Sequence, residues 1–214
     1  GLEVALAAHF RLALASANLG LPEVTRGVLP VAGGTQRTPR LIGAQAALDL
    51  MLSGKPLAAQ AALAAGLVDE LAPGTDPLAA GLDYARRLLA QGAQPRRSRD
   101  GRALDDKAAA LAAVNAASQQ VASTARGLFS PAKIVEAVRA AIEQPFDEGL
   151  RTERALFLQC LDSPQRAGLI HAFFAERDTA KIPELKEAKP RPLDSVGVIG
   201  GGTMGAGIVV ALLD

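Results

Sequence analysis

The amino-acid sequence predicts a helix-rich α/β protein, and three observations carry that reading. Alanine supplies about one residue in five, a composition that favours helix. Clusters of Gly and Pro cut the chain into runs of helical length, with short apolar stretches between them that read as strands. Near the C-terminus, Val196-Gly197-Val198-Ile199 runs into a glycine-rich loop and then an apolar helix, the pattern of a buried strand turning into a helix.

The elements follow in order. Residues 2–15 are apolar and Ala-rich, so a helix is expected at the start, with a strand in the alternating segment 11–16. Residues 17–34 hold Asn18, Gly20, Pro22, Gly27, Pro30, Gly33 and Gly34 and read as loop. Thr35 is placed to cap a short helix over 36–42, with Pro39 in its first turns. Helices are expected over 44–52, closed by Ser53-Gly54, and over 57–65, closed by Gly66. Leu67–Leu71 reads as a short strand and 77–91 as an amphipathic helix. Residues 105–126 and 131–143 are helical by pattern, and Pro131 suits a helix start. An apolar stripe over 148–177 is interrupted by Pro164, so two helices or one kinked helix are expected. The Pro- and charge-rich stretch 178–194 reads as a linker.

Composition removes several function classes. Of 214 residues, 49% are hydrophobic and 21% charged, enough for a sizeable core. Lys+Arg 23 against Asp+Glu 22 leaves a formal net charge of +1, without the basic excess of a nucleic-acid binder. Arg96, Arg97, Arg99 and Arg102 could meet phosphate, but in a balanced chain they read as a solvated basic loop. The single Cys160 excludes an internal disulfide framework, and His9 and His171 alone do not make a metal site, so no metal is expected. Cys160 and His171 read as structural. No apolar run reaches the length of a membrane span. Reduced cysteine usage fits a cytoplasmic protein, with a peroxisomal address as the alternative. Gly1–Leu6 already lies inside an apolar pattern, and the final apolar helix has no cap. Both ends read as cut through an element, so a segment of a longer polypeptide is expected, the alternative being a complete small protein with frayed ends.

Two constellations carry chemistry. Gly200-x-Gly202-x-x-Gly205, with Thr203 and Met204 inside it, matches a dinucleotide loop in its required strand–loop–helix setting. Gly200 permits the tight turn, Gly202 lets the backbone approach a pyrophosphate, and Gly205 allows close strand–helix packing. The other reading is a ligand-free glycine turn. The second constellation is Glu3 in an apolar stretch and Glu23 in a Gly/Pro-rich loop. An isolated carboxylate in apolar surroundings is costly unless partnered or used, and burial raises its pKa towards the range of proton transfer. Spacing alone does not bring the two together.

Gly1–Ala7, Leu19–Val24 and Gly27–Arg37, continued by Leu52–Lys55 and Ala65–Asp69, resemble the enoyl-CoA hydratase/isomerase (crotonase) family. Pro145–Leu150 and His171–Arg177 resemble the connector of the multifunctional enzymes of fatty-acid β-oxidation, and Val196–Gly205 is similar to the start of their 3-hydroxyacyl-CoA dehydrogenase domain. The resemblance covers nearly the whole chain, most weakly across 92–125. It implies the C-terminal part of a crotonase-like domain over 1–130, connector helices over 131–178, a linker over 179–194, and the first strand–loop–helix of a Rossmann domain over 195–214.

The resemblance also implies roles. Glu3 and Glu23 stand where the family has its two catalytic glutamates, which hold a water and add it across the double bond of a trans-2-enoyl-CoA. Gly200, Gly202, Thr203, Met204 and Gly205 would open an NAD site. The expected substrate is an acyl-CoA thioester and the expected cofactor, in the longer protein, is NAD. An oligomer or a thiolase partner is compatible with that longer protein. The family's oxyanion-hole donors and part of its CoA-binding region would precede Gly1, and the ribose-binding acid would follow Asp214, so the segment alone is expected to be inactive. Val31 stands where many relatives have Gly. Two rivals stay open: an isomerase or other acyl-CoA enzyme of the same fold, and a non-catalytic folding or interaction module.

Overall fold

The computed structural model describes residues 1–179, 181, 189 and 192–213. They divide into two compact units, Gly1–Ala175 and Glu176–Asp214. In chain order the first unit holds α1 (Leu2–Ala7), β1 (Leu12–Leu14), β2 (Asn18–Leu19) and a short 3-10 helix, Pro22–Arg26. These are followed by α2 (Gly34–Ile42), α3 (Ala44–Ser53), β3 (Leu57–Ala58), α4 (Ala59–Ala64), β4 (Glu70–Ala72) and α5 (Pro77–Ala90). Then come α6 (Lys107–Thr124), α7 (Ser130–Glu143), α8 (Phe146–Leu161) and α9 (Pro164–Thr179), which runs on past the first unit's last residue. The second unit's helix is α10 (Thr203–Leu213).

The strands make two small ladders. β1 pairs in parallel with β4, Leu12 opposite Glu70 and Leu14 opposite Ala72. β2 pairs antiparallel with β3, Asn18 opposite Ala58. Asp69 locks the entry to the first ladder. It accepts the Arg11 backbone amide at 2.6 Å and the Arg11 guanidinium at 3.3 Å, while Arg11 Nε donates to the Leu67 carbonyl at 2.8 Å. A buried guanidinium tolerates its desolvation only with such partners.

The core lies where α3 and α7 meet. α3 contributes Ala47, Leu48 and Met51, and α7 contributes Ile134, Ala137 and Val138, all inaccessible to solvent. Leu6, Leu29, Val114, Leu156 and Cys160 close around them. Each helix buries its residues at spacings of three and four, the stripe that a helix must hide from water.

Several sequence expectations shift, each for a local reason. The helix predicted over 57–65 starts at Ala59, because Leu57 and Ala58 are taken up by the ladder with β2. The strand predicted over 67–71 forms later, at Glu70–Ala72, in register with β1. The loop read over 17–34 contains β2 and the 3-10 helix. α2 begins at Gly34, two residues before the predicted start, so Thr35 does not cap it and Pro39 sits inside the helix. Thr35 gives its hydroxyl to another partner, the Glu153 carboxylate, so a local cap loses to a tertiary one. The break expected at Pro164 is present: α8 ends at Leu161 and α9 starts at Pro164.

α8 is docked at its first residues. The Phe146 ring is approached by the guanidinium carbons of Arg37 at 4.8 Å, Arg40 at 5.1 Å and Arg99 at 4.5 Å. Arg99 also pairs with Asp147 at 3.0 Å. One turn further on, Gly149 faces Gln36 so closely that any Cβ would overlap its side-chain oxygen. Gln36 is itself fixed, donating to the Ala137 carbonyl at 2.9 Å. Residues i and i+4 share a helix face, so this contact aims Glu153 at the start of α2.

In the second unit, Val196–Ile199 has no ladder partner among the described residues. A buried parallel strand exists only through its pairing with neighbours. Of the predicted linker, residues 180, 182–188, 190 and 191 lie outside the described residues, as does Asp214 at the end of the last predicted helix.

Candidate active site

Glu3 projects from the first turn of α1. Its Oε1 accepts the backbone amides of Ala32 and Gly34, both at 2.8 Å. Both bonds converge on one oxygen, and Oε2 lies outside that clamp. Gly34 is glycine for a steric reason: a Cβ there would stand 2.6 Å from Glu3 Oε1 and 2.7 Å from the Pro30 side chain.

Glu23 sits on the 3-10 helix, entered through buried Leu21 and left through Gly27, whose φ of 72° ends the helix in the left-handed region. Gly27 is doubly constrained, since a Cβ would stand 2.7 Å from the Arg166 backbone. Glu23 Oε2 is buried and has no hydrogen-bond partner among the described residues. Burial pushes the Glu23 carboxyl above its ordinary value; the Glu23 backbone hydrogen bond opposes this, the nearby Glu3 adds to it, and Arg26 opposes it. The two glutamates that sequence spacing could not connect thus lie within each other's electrostatic reach.

A third carboxylate was not among the predicted site residues. Glu153, only 1% exposed, accepts the Gly33 amide at 2.8 Å on Oε1. Its Oε2 accepts the Thr35 amide at 3.0 Å and the Thr35 hydroxyl at 2.5 Å. Burial drives its pKa up to about 7; the bonds from Thr35 and Gly33 pull it down, and Glu3 pushes it up. A signal for it exists in the sequence. Glu153 is the acid on the apolar stripe of α8, four residues after Gly149 and three before Leu156.

The predicted glycine loop belongs to the second unit. Gly200 has φ 101°, the left-handed turn that only glycine adopts readily. A Cβ at Gly205 would overlap the Gly200 carbonyl oxygen. At Gly202 nothing lies within 4 Å of the place a Cβ would occupy, so its backbone is open to approach. Thr203 and Met204 open α10, and the Ala206 amide donates to the Gly202 carbonyl at 2.9 Å. These features suit a phosphate-bearing dinucleotide, with free amides at the helix start.

Elsewhere, burial raises the Cys160 thiol to about 11, which makes it a core residue and not a nucleophile at neutral pH. His171 is exposed. Among the described residues no three His, Cys, Asp or Glu side chains gather as metal ligands, and no helix is long and apolar enough to cross a membrane.

The family model described as enoyl-CoA hydratase/isomerase matches residues 1–125. The peroxisomal bifunctional enzyme of Cavia porcellus is 39% identical over 220 residues, covering 99% of this chain, and that of Danio rerio is 41% identical over 227 residues. The chain spans 30% of the length of these relatives. The crystal structure of carnitinyl-CoA hydratase from Mycobacterium avium superimposes with a TM-score of 0.52 at 30% identity, over 82% of this chain and 55% of that one. The chain belongs to the enoyl-CoA hydratase/isomerase family.

Proposed function

We propose that Glu3 and Glu23 add water across the double bond of a trans-2-enoyl-CoA, giving a 3-hydroxyacyl-CoA. The observation that carries this reading is the buried, unpartnered Oε2 of Glu23 beside the amide-clamped Glu3. A buried carboxyl oxygen without a partner is costly in a core, and useful where a proton must be given or taken. Glu3, held through Oε1, turns its other oxygen to a water and accepts its proton. The water oxygen bonds to C3 as the alkene pair shifts towards the thioester, and Glu23 delivers a proton to C2. Its raised pKa suits a group that holds that proton before the step. A cleft of about 620 Å³ lies beside the Glu23 helix, lined by apolar Val24, Leu52, Val121, Leu128 and Leu169 and by polar Asp49, Ser53 and Gln120; neither Glu3 nor Glu23 lines it.

The longer reading is a bifunctional enzyme that then oxidises the 3-hydroxyacyl-CoA with NAD. It rests on the Gly200–Gly205 loop and on the bifunctional names of the relatives. Gly200, Gly202, Thr203, Met204 and Gly205 would hold the pyrophosphate of NAD, and NAD supplies the hydride acceptor. In this reading residues 1–130 belong to the hydratase domain, 131–178 to the connector, 179–194 to the linker, and 195–214 to the start of the dehydrogenase domain. An oligomer or thiolase partner belongs to the same proposal. The peroxisomal names of the relatives favour that compartment over the cytoplasm, and fractionation against organelle markers distinguishes the two.

The test uses the full polypeptide that carries this chain. Loss of enoyl-thioester absorbance with trans-2-enoyl-CoA, followed by NADH formation on adding NAD, is the expected result. Glu3→Gln should abolish hydration. Double-bond migration that survives Glu3→Gln, with no hydration in the parent, would instead assign an isomerase resting on Glu23. A parent that takes up neither acyl-CoA nor NAD would leave the non-catalytic reading.

A further inference from the structure

The loop Ala32-Gly33-Gly34-Thr35 presents four successive backbone amides, and two carboxylates take them alternately. Glu3 takes Ala32 and Gly34; Glu153 takes Gly33 and Thr35. The loop is also the start of α2, where backbone amides have no partner within the helix. Glu3 arrives from α1 and Glu153 from α8, so neither carboxylate can hold the loop in this form alone. If the Gly33 and Thr35 amides lose their acceptor, the peptide plane between them, which carries the Gly34 amide, is free to rotate, and so is the plane next before that of Gly33, which carries the Ala32 amide; these two amides orient Glu3.

The geometry points to Glu153 as a positioning residue, which sets the orientation of Glu3 through the alternating amides of residues 32–35. It touches no substrate in this scheme. The inference rests on the catalytic role proposed for Glu3, but the coupling of the two carboxylates through the loop does not.

The clamp has a pH dependence of its own. Ionised Glu153 offers acceptors on both oxygens; once protonated, one oxygen must donate and the neutral group accepts the loop amides more weakly. The carboxyl titrates at about 7, within reach of ordinary assay conditions. The charged groups acting on it are Glu3 from α1 and Arg37 from α2, whose own field includes Glu153. The buried residues of α7, which packs on α8, carry no charge. The expected consequence is a loop that loosens as pH falls through this range, taking the alignment of Glu3 with it.

Two measurements test this on the full polypeptide. The first needs no substrate: residue-resolved amide hydrogen exchange of the wild type from pH 8 to pH 5.5, each rate corrected for its intrinsic pH dependence. Protection at Ala32 and Gly34 should fall together with that at Gly33 and Thr35. Retained protection at Ala32 and Gly34 while the other two are lost would overturn the coupling. The second is Glu153→Gln, which keeps size but replaces one acceptor with a donor. Hydration kcat should fall roughly 10- to 100-fold with KM nearly unchanged, as for a displaced catalytic group. The acid-side loss of rate near pH 7 should vanish from the variant's profile. A variant with wild-type kcat, or with the same limb near pH 7, contradicts the role. If Glu153→Gln does not fold, the wild-type exchange experiment decides alone. If the wild type hydrates no enoyl-CoA, the catalytic reading fails while the exchange result still decides the clamp.

Discussion

Glu3 Oε1 stands 2.8 Å from the Gly34 amide nitrogen and 2.6 Å from the place a Gly34 Cβ would occupy. The bond that holds the carboxylate and the absence of a side chain at residue 34 are therefore one requirement. Gly34→Ala must push Glu3 off its amides or displace Pro30. It should cost about 1–3 kcal/mol of stability, the range for forced overpacking, and most of the hydration activity. Denaturant unfolding and kcat check the two effects together.

Glu23 should behave as a group that works protonated. Burial raises its pKa, so the hydration rate should fall as pH rises through that raised value, and Glu23→Gln should remove this alkaline limb. The variant's kcat should drop about 10²- to 10⁴-fold, the usual contribution of a positioned acid or base. The pH–rate profile of the variant against the parent decides.

Burial of Glu153 makes a separate prediction for stability. Its pKa is about 7 in the fold against 4.5 as a free side chain, so between those values the folded state binds more proton than the unfolded one. Its contribution is thus full below pH 4.5 and is lost as pH rises through about 7. The difference is on the order of 3 kcal/mol. Glu153→Gln should flatten this fall, so that the variant's stability relative to the parent improves from pH 5 to pH 8. This global trend differs from the loosening of residues 32–35 at low pH, because the neutral acid is cheap to bury even though it holds the loop less well. Urea midpoints across the pH range measure it.

Gly205→Ala should abolish NAD binding by the full polypeptide, because any Cβ at that position overlaps the Gly200 carbonyl oxygen. Fluorescence titration with NADH is the check. Unchanged affinity would show that the loop is a ligand-free turn. Hydration should be unaffected, since Glu3 and Glu23 lie in the other unit.

The helices are legible in the sequence because their apolar residues recur every three to four positions and Gly or Pro punctuates them, as at Gly54 and Pro164. Element edges are not, because neighbours decide them: Leu57 and Ala58 leave α4 only because Asn18 and Leu19 offer a ladder. The start of α2 shifts for the same reason. Thr35 looks like a local cap, but the carboxylates that take the first amides of α2 are Glu3 and Glu153, on distant helices. Glu3 and Glu23 are recognisable as unusual carboxylates, and a resemblance, not spacing, joins them. Glu153 is legible only as an acid on an apolar stripe, and its burial depends on the close passage of Gly149 over Gln36, which spacing does not reveal. Val196–Ile199 carries a strand's composition, but a strand is a relation to neighbours, and none is present among the described residues.

The most direct measurement of the central assignment is a double-mutant comparison on the full polypeptide: hydration kcat of the wild type, Glu3→Gln, Glu23→Gln and the double variant with one trans-2-enoyl-CoA. Groups that act together in one step lose their effects non-additively. The expected result is a loss of about 10²-fold or more in each single variant, with the double variant little worse than the poorer single. Near-wild-type hydration in either single variant would contradict the assignment of the pair.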